Sequence, residues 1–257
     1  MIRVAISGSG KMGRQVCAAV REQPDMEPVG FIDALATPGE CEGLTLLHEP
    51  QDLFDLRKPD VVVDFTNAEF APKLTEAAIR CGVRPVIGTS GLTPEFVEDL
   101  QGRCAAVGLG GVVASNFALG AVLMIHMASI AARFYDSAEI IELHHDQKVD
   151  APSGTALTTA RLMKEARGED FARNVPEREN LGATRAASEG GVTIHSVRLP
   201  GLVAHHEVLF GGQGELLSIR HDSTSRDSFM PGVMLAVRES MKLDHLVVGL
   251  DGLLGLS

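Results

Sequence analysis

The chain has 257 residues, of which 45% are hydrophobic and 22% are charged, and its formal net charge is −11. This composition is typical of a globular protein with a substantial core, in one large domain or two modest ones. The acidic excess argues against a general binder of nucleic acid or of acidic membranes, so an anionic ligand would need locally placed cations.

Cysteine usage and hydropathy bear on where the protein works. Cys17, Cys41, Cys81 and Cys104 are scattered without a Cys-x-x-Cys pair, which predicts reduced thiols, no metal site and a cytoplasmic protein. The chain opens directly with a strand pattern, so no signal peptide is expected. Residues 104–132 lack Asp, Glu, Lys and Arg and are long enough to cross a bilayer. Their glycines and polar residues favour a strand, a loop and a buried helix, so no membrane span is expected.

The first strand pattern, residues 2–7, leads into a glycine-rich turn. The turn reads Gly8-Ser-Gly-Lys-Met-Gly13 and precedes a helical pattern over residues 14–22. In dinucleotide-binding folds, Gly-x-Gly-x-x-Gly permits a tight bend, close approach to a pyrophosphate and close packing of the helix on the strand. A second strand over residues 27–32 ends at Asp33, where a carboxylate can bind the adenosine ribose. The alternative is a purely structural turn before a helix.

The residue after Asp33 bears on the choice of cofactor. It is Ala34 and not arginine, and Lys11 is the only nearby cation in this interpretation of the sequence. Because a carboxylate repels a 2′-phosphate, we expect NADH to be preferred over NADPH.

Strand and helix patterns then alternate, which predicts an α/β fold with a parallel sheet. The predicted strands are 60–65, 84–87 and 105–113, and the predicted helices are 51–56, 72–81 and 94–103. In a parallel sheet the strand ends face the crevice that receives a dinucleotide. Candidate contacts to ribose and nicotinamide are therefore Thr66, Gly88, Thr89 and Asn116. Ordinary polar turn chemistry is the alternative for each of them.

The next stretch concentrates reactive side chains between a strand, 137–143, and a helix, 156–167. It reads Glu142-Leu-His-His-Asp-Gln-Lys-Val-Asp-Ala-Pro-Ser-Gly-Thr-Ala156. His144 is a candidate general acid, and Lys148 can bind a carboxylate or donate a proton. Ser153 or Thr155 can cap the helix, which leaves the amides of Gly154 and Thr155 for a second carboxylate. The pattern favours a small dianionic substrate; the alternative is a loop histidine pair before an ordinary helix.

A long apolar helix is predicted over 117–134, and a polar, lid-like loop over 168–191. Strands are predicted over 192–198, 205–210 and 215–223, with a hairpin at 211–214 that suggests an antiparallel sheet. A helix over 227–241 and an apolar tail over 246–257 complete the chain. The fold class is thus a Rossmann-type domain (1–115 plus 229–257) and an α+β domain on a mixed or antiparallel sheet (116–228).

Five segments together resemble the dihydrodipicolinate reductase family, also called 4-hydroxy-tetrahydrodipicolinate reductase. They are the turn at 8–13, Gly88-Thr-Ser-Gly91, Ala114-Ser-Asn-Phe117, the stretch 142–156 and Ser225-Arg-x-x-Phe229. The resemblance covers the whole chain in order, and the His-His-x-x-Lys string is its most specific part. It implies reduction of a cyclic imine dicarboxylate by NADH or NADPH in the diaminopimelate route to lysine. It also implies a homotetramer whose substrate-domain sheets associate.

The resemblance further implies roles for individual residues. His144 is implied as the general acid and Lys148 as a proton-relay or carboxylate-binding residue, with substrate contacts from His145, Gly154 and Thr155. The implied contacts to the adenine half of the cofactor are Gly8, Ser9, Gly10, Lys11, Met12, Gly13 and Asp33. The implied contacts to the nicotinamide half are Gly88, Thr89, Ser90, Ala114, Ser115, Asn116 and Phe117.

The sequence departs from the family pattern at three places. Many members have arginine where this chain has Ala34, the usual Gly-x-x-Gly-Glu-His is Gly201-Leu-Val-Ala-His-His206, and the stretch between Asp33 and Asp60 is short. Two other classes stay open. One is a different Rossmann-fold reductase, for example one acting on a semialdehyde, which would need a catalytic cysteine. The other is a non-catalytic dinucleotide-binding protein, which would not need His144 or Lys148.

Overall fold

The computed structural model describes residues 1–173 and 186–256. Contacts between residues divide the chain into two compact units. Unit 1 comprises Met1–Leu119 and Arg226–Ser257, and unit 2 comprises Gly120–Ser225. The boundaries predicted from the sequence lie between residues 115 and 116 and between residues 228 and 229.

The strands in chain order are β1 (Ile2–Ser7), β2 (Met26–Ile32), β3 (Gly39–Cys41), β4 (Leu44–Leu47), β5 (Val61–Asp64), β6 (Arg84–Ile87), β7 (Gly111–Val113), β8 (Ser137–His144), β9 (Ala187–Glu189), β10 (Val192–Arg198), β11 (Ala204–Gly212), β12 (Glu215–Ser223) and β13 (Leu246–Val248). The α-helices are α1 (Lys11–Arg21), α2 (Pro50–Arg57), α3 (Ala71–Cys81), α4 (Pro94–Ala106), α5 (Leu119–Ala131), α6 (Gly154–Arg167) and α7 (Met230–Ser240). Short 3-10 helices lie at Arg226–Phe229 and Gly252–Leu254.

Unit 1 is built on one sheet in the order β13-β7-β6-β5-β1-β2-β4-β3. Neighbouring strands are parallel except β3 with β4, as the α/β alternation predicts. In the central strand β5, Val61, Val62 and Val63 are all fully buried, so both faces of the strand are covered. A continuous apolar run of this kind is typical of parallel strands, whose helical crossovers pack on both faces of the sheet. The Rossmann-type expectation is confirmed.

Unit 2 is built on a five-stranded sheet in the order β12-β11-β8-β10-β9. Strand β8 pairs antiparallel with β11 but parallel with β10, so the sheet is mixed. A parallel neighbour needs a crossover, and α6 lies in the connection between β8 and β10. One face of the sheet packs on α6 through Ile140, Val208, Ala160 and Met163.

Several predicted elements are wrong in detail. The strand predicted over 105–113 is limited to Gly111–Val113, since α4 continues through Ala105 and Ala106, for which helix is the preferred state. The hairpin of β3 and β4 and the edge strand β13 have no counterpart in the predicted elements. The loop predicted over 168–191 contains β9, and its residues 174–185 lie outside the described part of the chain.

The charge-free stretch 104–132 divides between the end of α4, strand β7 and most of α5. Among residues 1–173 and 186–256, no helix combines the length and apolar character that a membrane crossing requires.

Candidate active site

The glycine turn of unit 1 depends on the absence of side chains at two positions. Gly8 has a φ of +100°, a conformation that glycine adopts without strain. A β-carbon built on Gly13 would lie 1.8 Å from the carbonyl oxygen of Gly8, so α1 packs against the turn only with glycine there. A β-carbon built on Gly10 would have no other atom within 4 Å. The side of the turn at Gly10 is therefore open to a ligand.

Asp33 lies at the end of β2 and holds this turn in place. Its Oδ2 accepts hydrogen bonds from the amide of Ser9 at 2.9 Å and from the Ser9 hydroxyl at 2.7 Å. Its Oδ1 accepts from the amides of Leu35 and Ala36 at 3.0 and 3.3 Å. Burial raises the pKa of the Asp33 carboxyl, but these hydrogen bonds outweigh burial and the net pKa is below its ordinary value. The carboxylate is thus an ionised anchor of the turn.

A second cation lies at the turn, and the sequence interpretation missed it. The Arg14 guanidinium donates from Nε to the carbonyl oxygen of Ser9 at 3.0 Å and forms an ion pair with Glu42 at 2.8 Å. Lys11 is therefore not the only nearby cation. Arg14 was overlooked because it belongs to the helical pattern, and its orientation depends on Glu42 in the unpredicted β3–β4 hairpin.

A cavity of about 400 Å³ opens beside the turn and is lined in part by Gly8, Gly10 and Asp33. The amides at the start of α1 face no side-chain cap, because the N-cap residue is Gly10. Free amides at a helix N-terminus and an open glycine favour a pyrophosphate. The residues present therefore fit the adenosine and pyrophosphate half of a dinucleotide.

The ends of β5 and β6 form a fixed edge of the same unit. Thr89 Oγ1 donates to the buried Asp64 carboxylate at 2.5 Å and accepts from the Thr66 amide at 3.0 Å. Burial raises the pKa of Asp64 above its ordinary value, although hydrogen bonds from Thr89 and Thr66 oppose this. The Thr89 hydroxyl thus donates its one hydrogen within the protein. A contact from this hydroxyl to a cofactor would use its remaining lone pair as an acceptor.

The remaining predicted cofactor contacts lie at this same edge, after β6 and β7. Gly88 faces the Phe65 ring, which a β-carbon would approach to 2.2 Å, and Phe65 stacks edge-on against the buried Phe117 at 5.7 Å between centroids. Asn116 caps its own turn by accepting from the Ala118 amide at 2.9 Å. Ser90 and Ser115 are exposed and Ala114 is buried.

In unit 2, His144 is the last residue of β8 and lies on the face of the sheet that α6 covers. Its Nδ1 forms a short hydrogen bond with Glu142, two residues earlier on the same face. The Glu142 side chain is fully buried, yet its pKa is lowered to about 2: burial raises it, and hydrogen bonds from His144 and Arg198 lower it more. An ionised carboxylate only accepts hydrogen bonds, so the proton on this bond belongs to Nδ1. Nε2 is then the ring atom available for chemistry.

Arg198, at the end of β10, pairs in register with His144 and neutralises Glu142. Its Nη1 and Nη2 donate to the two carboxylate oxygens at 3.0 and 2.8 Å, a bidentate arrangement. Nη2 also donates to the carbonyl oxygen of Asp150 at 2.7 Å. Sequence reasoning missed both Glu142 and Arg198. Their separation of 56 residues gives no local signal.

Lys148 lies on the turn after β8, and its ammonium binds the Asp150 carboxylate at 2.7 Å. The pKa of Asp150 is below its ordinary value, first because of this hydrogen bond and, to a smaller extent, because of backbone amides that include Gly154. Lys148 is one of the groups that the sequence assigned to a substrate carboxylate. In the structure its ammonium binds a carboxylate of the chain itself.

Helix α6 begins at Gly154, with Ser153 as its N-cap. The Ser153 hydroxyl accepts from the Ala156 amide at 3.2 Å, which confirms this residue as the cap, and the Ser153 amide donates to Glu142 at 3.3 Å. Thr155 is half-buried in the first turn of the helix. His145 is also half-buried, and its carbonyl oxygen accepts from the Lys148 amide at 3.2 Å.

A second histidine, His206 on β11, pairs in register with Glu142 and is almost fully buried. Burial lowers its pKa to about 4, against the smaller opposite effect of Glu142. His206 is therefore neutral at physiological pH, whereas Glu142 and Arg198 are charged.

The structure thus brings His144, Lys148 and the start of α6 together around Glu142 and Arg198. Within residues 1–173 and 186–256, no group of three or more His, Cys, Asp or Glu side chains is arranged to hold a metal ion. A glycine-rich turn of the dinucleotide-binding type in unit 1, with an imidazole beside the N-terminus of a helix in unit 2, is typical of an oxidoreductase that uses a nicotinamide dinucleotide.

Comparisons with known proteins identify the family. Residues 2–117 match the description "Dihydrodipicolinate reductase, N-terminus", and residues 120–254 match "Dihydrodipicolinate reductase, C-terminus". The 4-hydroxy-tetrahydrodipicolinate reductase of Dehalococcoides mccartyi is 44% identical over 99% of both chains. That of Geobacillus kaustophilus is 47% identical over 98% of this chain and 99% of its own. The chain belongs to the dihydrodipicolinate reductase family.

Solved structures agree with this assignment. A dipicolinate-bound dihydrodipicolinate reductase from Paenisporosarcina sp. TG-14 superposes with a TM-score of 0.88 and 42% identity, covering 98% of this chain and 99% of that one. The amine dehydrogenase of Mycobacterium smegmatis, at 14% identity and a TM-score of 0.61, shares the fold alone.

The buried neutral His206 predicts a pH dependence of stability. Below about pH 6.5 the unfolded chain takes up a proton at this histidine, which the folded chain takes up only near pH 4. His206 should therefore cost the folded state about 3 kcal/mol as the pH falls through this window. Urea unfolding of His206→Leu should show a correspondingly weaker loss of stability between pH 7 and 4. The exposed His245→Leu is the control; equal losses in wild type and His206→Leu would contradict the prediction.

Proposed function

We propose that the chain reduces 4-hydroxy-tetrahydrodipicolinate to tetrahydrodipicolinate in the diaminopimelate route to lysine, using a reduced nicotinamide dinucleotide. Family membership over the whole chain supports the reaction. The observation that carries the role of Lys148 is its ion pair with the Asp150 carboxylate at 2.7 Å. The backbone amide of Gly154 contributes to lowering the pKa of the same carboxylate. A segment that binds one carboxylate of the chain has the chemistry to bind a carboxylate of the substrate.

A dinucleotide held at the glycine-rich turn would supply the hydride. His144 holds a proton at Nε2 and gives it to the ring as the hydride arrives, while Nδ1 stays engaged with Glu142. The amides of Gly154 and Thr155 at the positive end of α6 bind one carboxylate. Lys148 leaves the Asp150 carboxylate to bind a carboxylate of the substrate, or it relays a proton. His145 contacts the substrate next to Lys148. Together these groups orient a dianion that the net charge of the chain would otherwise repel.

Two variants test the catalytic roles of His144 and Lys148. His144→Ala and Lys148→Ala should each lower kcat by about 10² or more, the usual scale for loss of a general acid, while NADH binding survives. The assay condenses pyruvate and aspartate semialdehyde with the preceding synthase and follows NADH oxidation. His245→Gln, an exposed histidine of unit 1, is the control. Unchanged turnover in both alanine variants would show that the segment with His144 and Lys148 takes no part in catalysis.

We further propose that NADH is preferred over NADPH, although both are accepted. Asp33 is ionised and lies at the turn that receives the adenosine ribose, where its charge opposes a 2′-phosphate. Arg14 and Lys11 offset this repulsion only in part, because Glu42 neutralises Arg14.

Parallel assays with the two cofactors check this preference. The wild type should give the higher kcat/KM with NADH, and Asp33→Asn should shift the ratio toward NADPH by about tenfold, or about 1.4 kcal/mol. A wild type that prefers NADPH, or a ratio that Asp33→Asn leaves unchanged, would contradict the proposal.

We also propose a homotetramer that acts in the cytoplasm. The free thiols of all four cysteines suit a reducing compartment. The sheet face opposite α6 carries the half-exposed Ile141, Leu143, Val197 and Leu209. Large apolar side chains also recur along α5, where Leu123, Met127 and Ile130 are 42%, 48% and 46% exposed. Contiguous apolar surface of this kind favours association between chains.

Light scattering tests the association. The wild type should have the mass of four chains, and Ile141→Lys should reduce that mass because it places a charge in the apolar sheet face. A monomeric wild type would contradict the proposed tetramer. A tetrameric Ile141→Lys variant would show that the interface does not include this sheet face.

A further inference from the structure

We propose that Glu142 and Arg198 are positioning residues for the reduction. Glu142 fixes the ring of His144, and Arg198 joins Glu142 to the segment that carries Lys148. The inference rests on the proposed function, because it assigns these two side chains a task only if His144 delivers the proton.

The contacts of Glu142 carry the first step. This carboxylate has no exposed surface and accepts from His144 Nδ1, from both terminal nitrogens of Arg198 and from the Ser153 amide. Arg198 and Ser153 hold the carboxylate from outside β8, so the position of the carboxylate does not depend on His144 alone. A fixed, ionised acceptor sets both the tautomer and the orientation of the imidazole. The proton that leaves is then the one on Nε2.

The second step is the link through Arg198 to Lys148. Arg198 Nη2 donates to Glu142 Oε1 at 2.8 Å and to the carbonyl oxygen of Asp150 at 2.7 Å. The Asp150 side chain in turn binds the Lys148 ammonium at 2.7 Å. One guanidinium therefore fixes the backbone of the Lys148 segment relative to the imidazole of His144. Because Ser153 also donates to Glu142, the start of α6 is tied to the same point.

Asp244 offers a matched control. Its carboxylate accepts a hydrogen bond from Nδ1 of His245 at 2.8 Å, and both residues are exposed in unit 1. Asp244→Asn and Glu142→Gln thus make the same chemical change beside the Nδ1 of an imidazole. A general effect of removing a carboxylate from such a pair would affect both variants.

The experiment measures kcat and KM for wild type, His144→Ala, Glu142→Gln and Asp244→Asn. Glu142→Gln should lower kcat about 10- to 100-fold with a smaller change in KM, because an imidazole without its fixed acceptor is less well oriented while the groups that bind the substrate remain. Asp244→Asn should match the wild type in both quantities.

Glu142→Gln leaves Arg198 without its counter-ion, so the double variant Glu142→Gln/Arg198→Met guards against misfolding. It removes both charges, and it should fold and show a kcat loss at least as large. A folded variant, single or double, with wild-type kcat would overturn the inference. An inactive wild type, or an unimpaired His144→Ala, would instead overturn the proposed function and the inference with it.

Discussion

A fully buried, ionised carboxylate needs a fixed counter-ion, and in unit 2 the organisation of the site follows from how Glu142 obtains one. Arg198 reaches it bidentately from a neighbouring strand, which requires β10 to lie beside β8 in the observed register. Removing one partner of such a pair typically costs about 3–5 kcal/mol, because it leaves a buried charge alone. The pair therefore couples the stability of the sheet to the position of His144 and of the helix that follows.

Unit 1 depends on a different constraint, the approach of α1 to the end of β1. Only glycine fits at position 13, and Asp33 holds the intervening turn through Ser9. The turn is thereby rigid before any ligand binds, and its open side is formed by Gly10 and the first amides of α1. Preorganisation of this kind lets a flexible dinucleotide bind without ordering the protein as well.

The sequence predicted what local patterns encode. Glycine spacing predicted the dinucleotide turn, alternating strand and helix patterns predicted the parallel sheet, and the His144–Lys148 string with its serine cap predicted the second site. Local patterns could not reveal contacts between distant residues. The role of Glu142 depends on Arg198, which lies 56 residues later, and the placement of Arg14 depends on Glu42 in a hairpin too short to show a strand pattern. The mixed sheet was among the predicted arrangements, but the local patterns could not show that β10 is the strand that pairs parallel with β8.

In the proposed mechanism, His144 presents Nε2 to the substrate while Lys148 and the start of α6 bind its carboxylates. A crystal structure of the chain with a planar pyridine dicarboxylate would test this arrangement. We expect one carboxylate on the amides of Gly154 and Thr155, and Nε2 within about 3 Å of the ligand with Nδ1 still on Glu142. A ligand bound elsewhere, or an imidazole turned away from Glu142 and from the ligand, would contradict it.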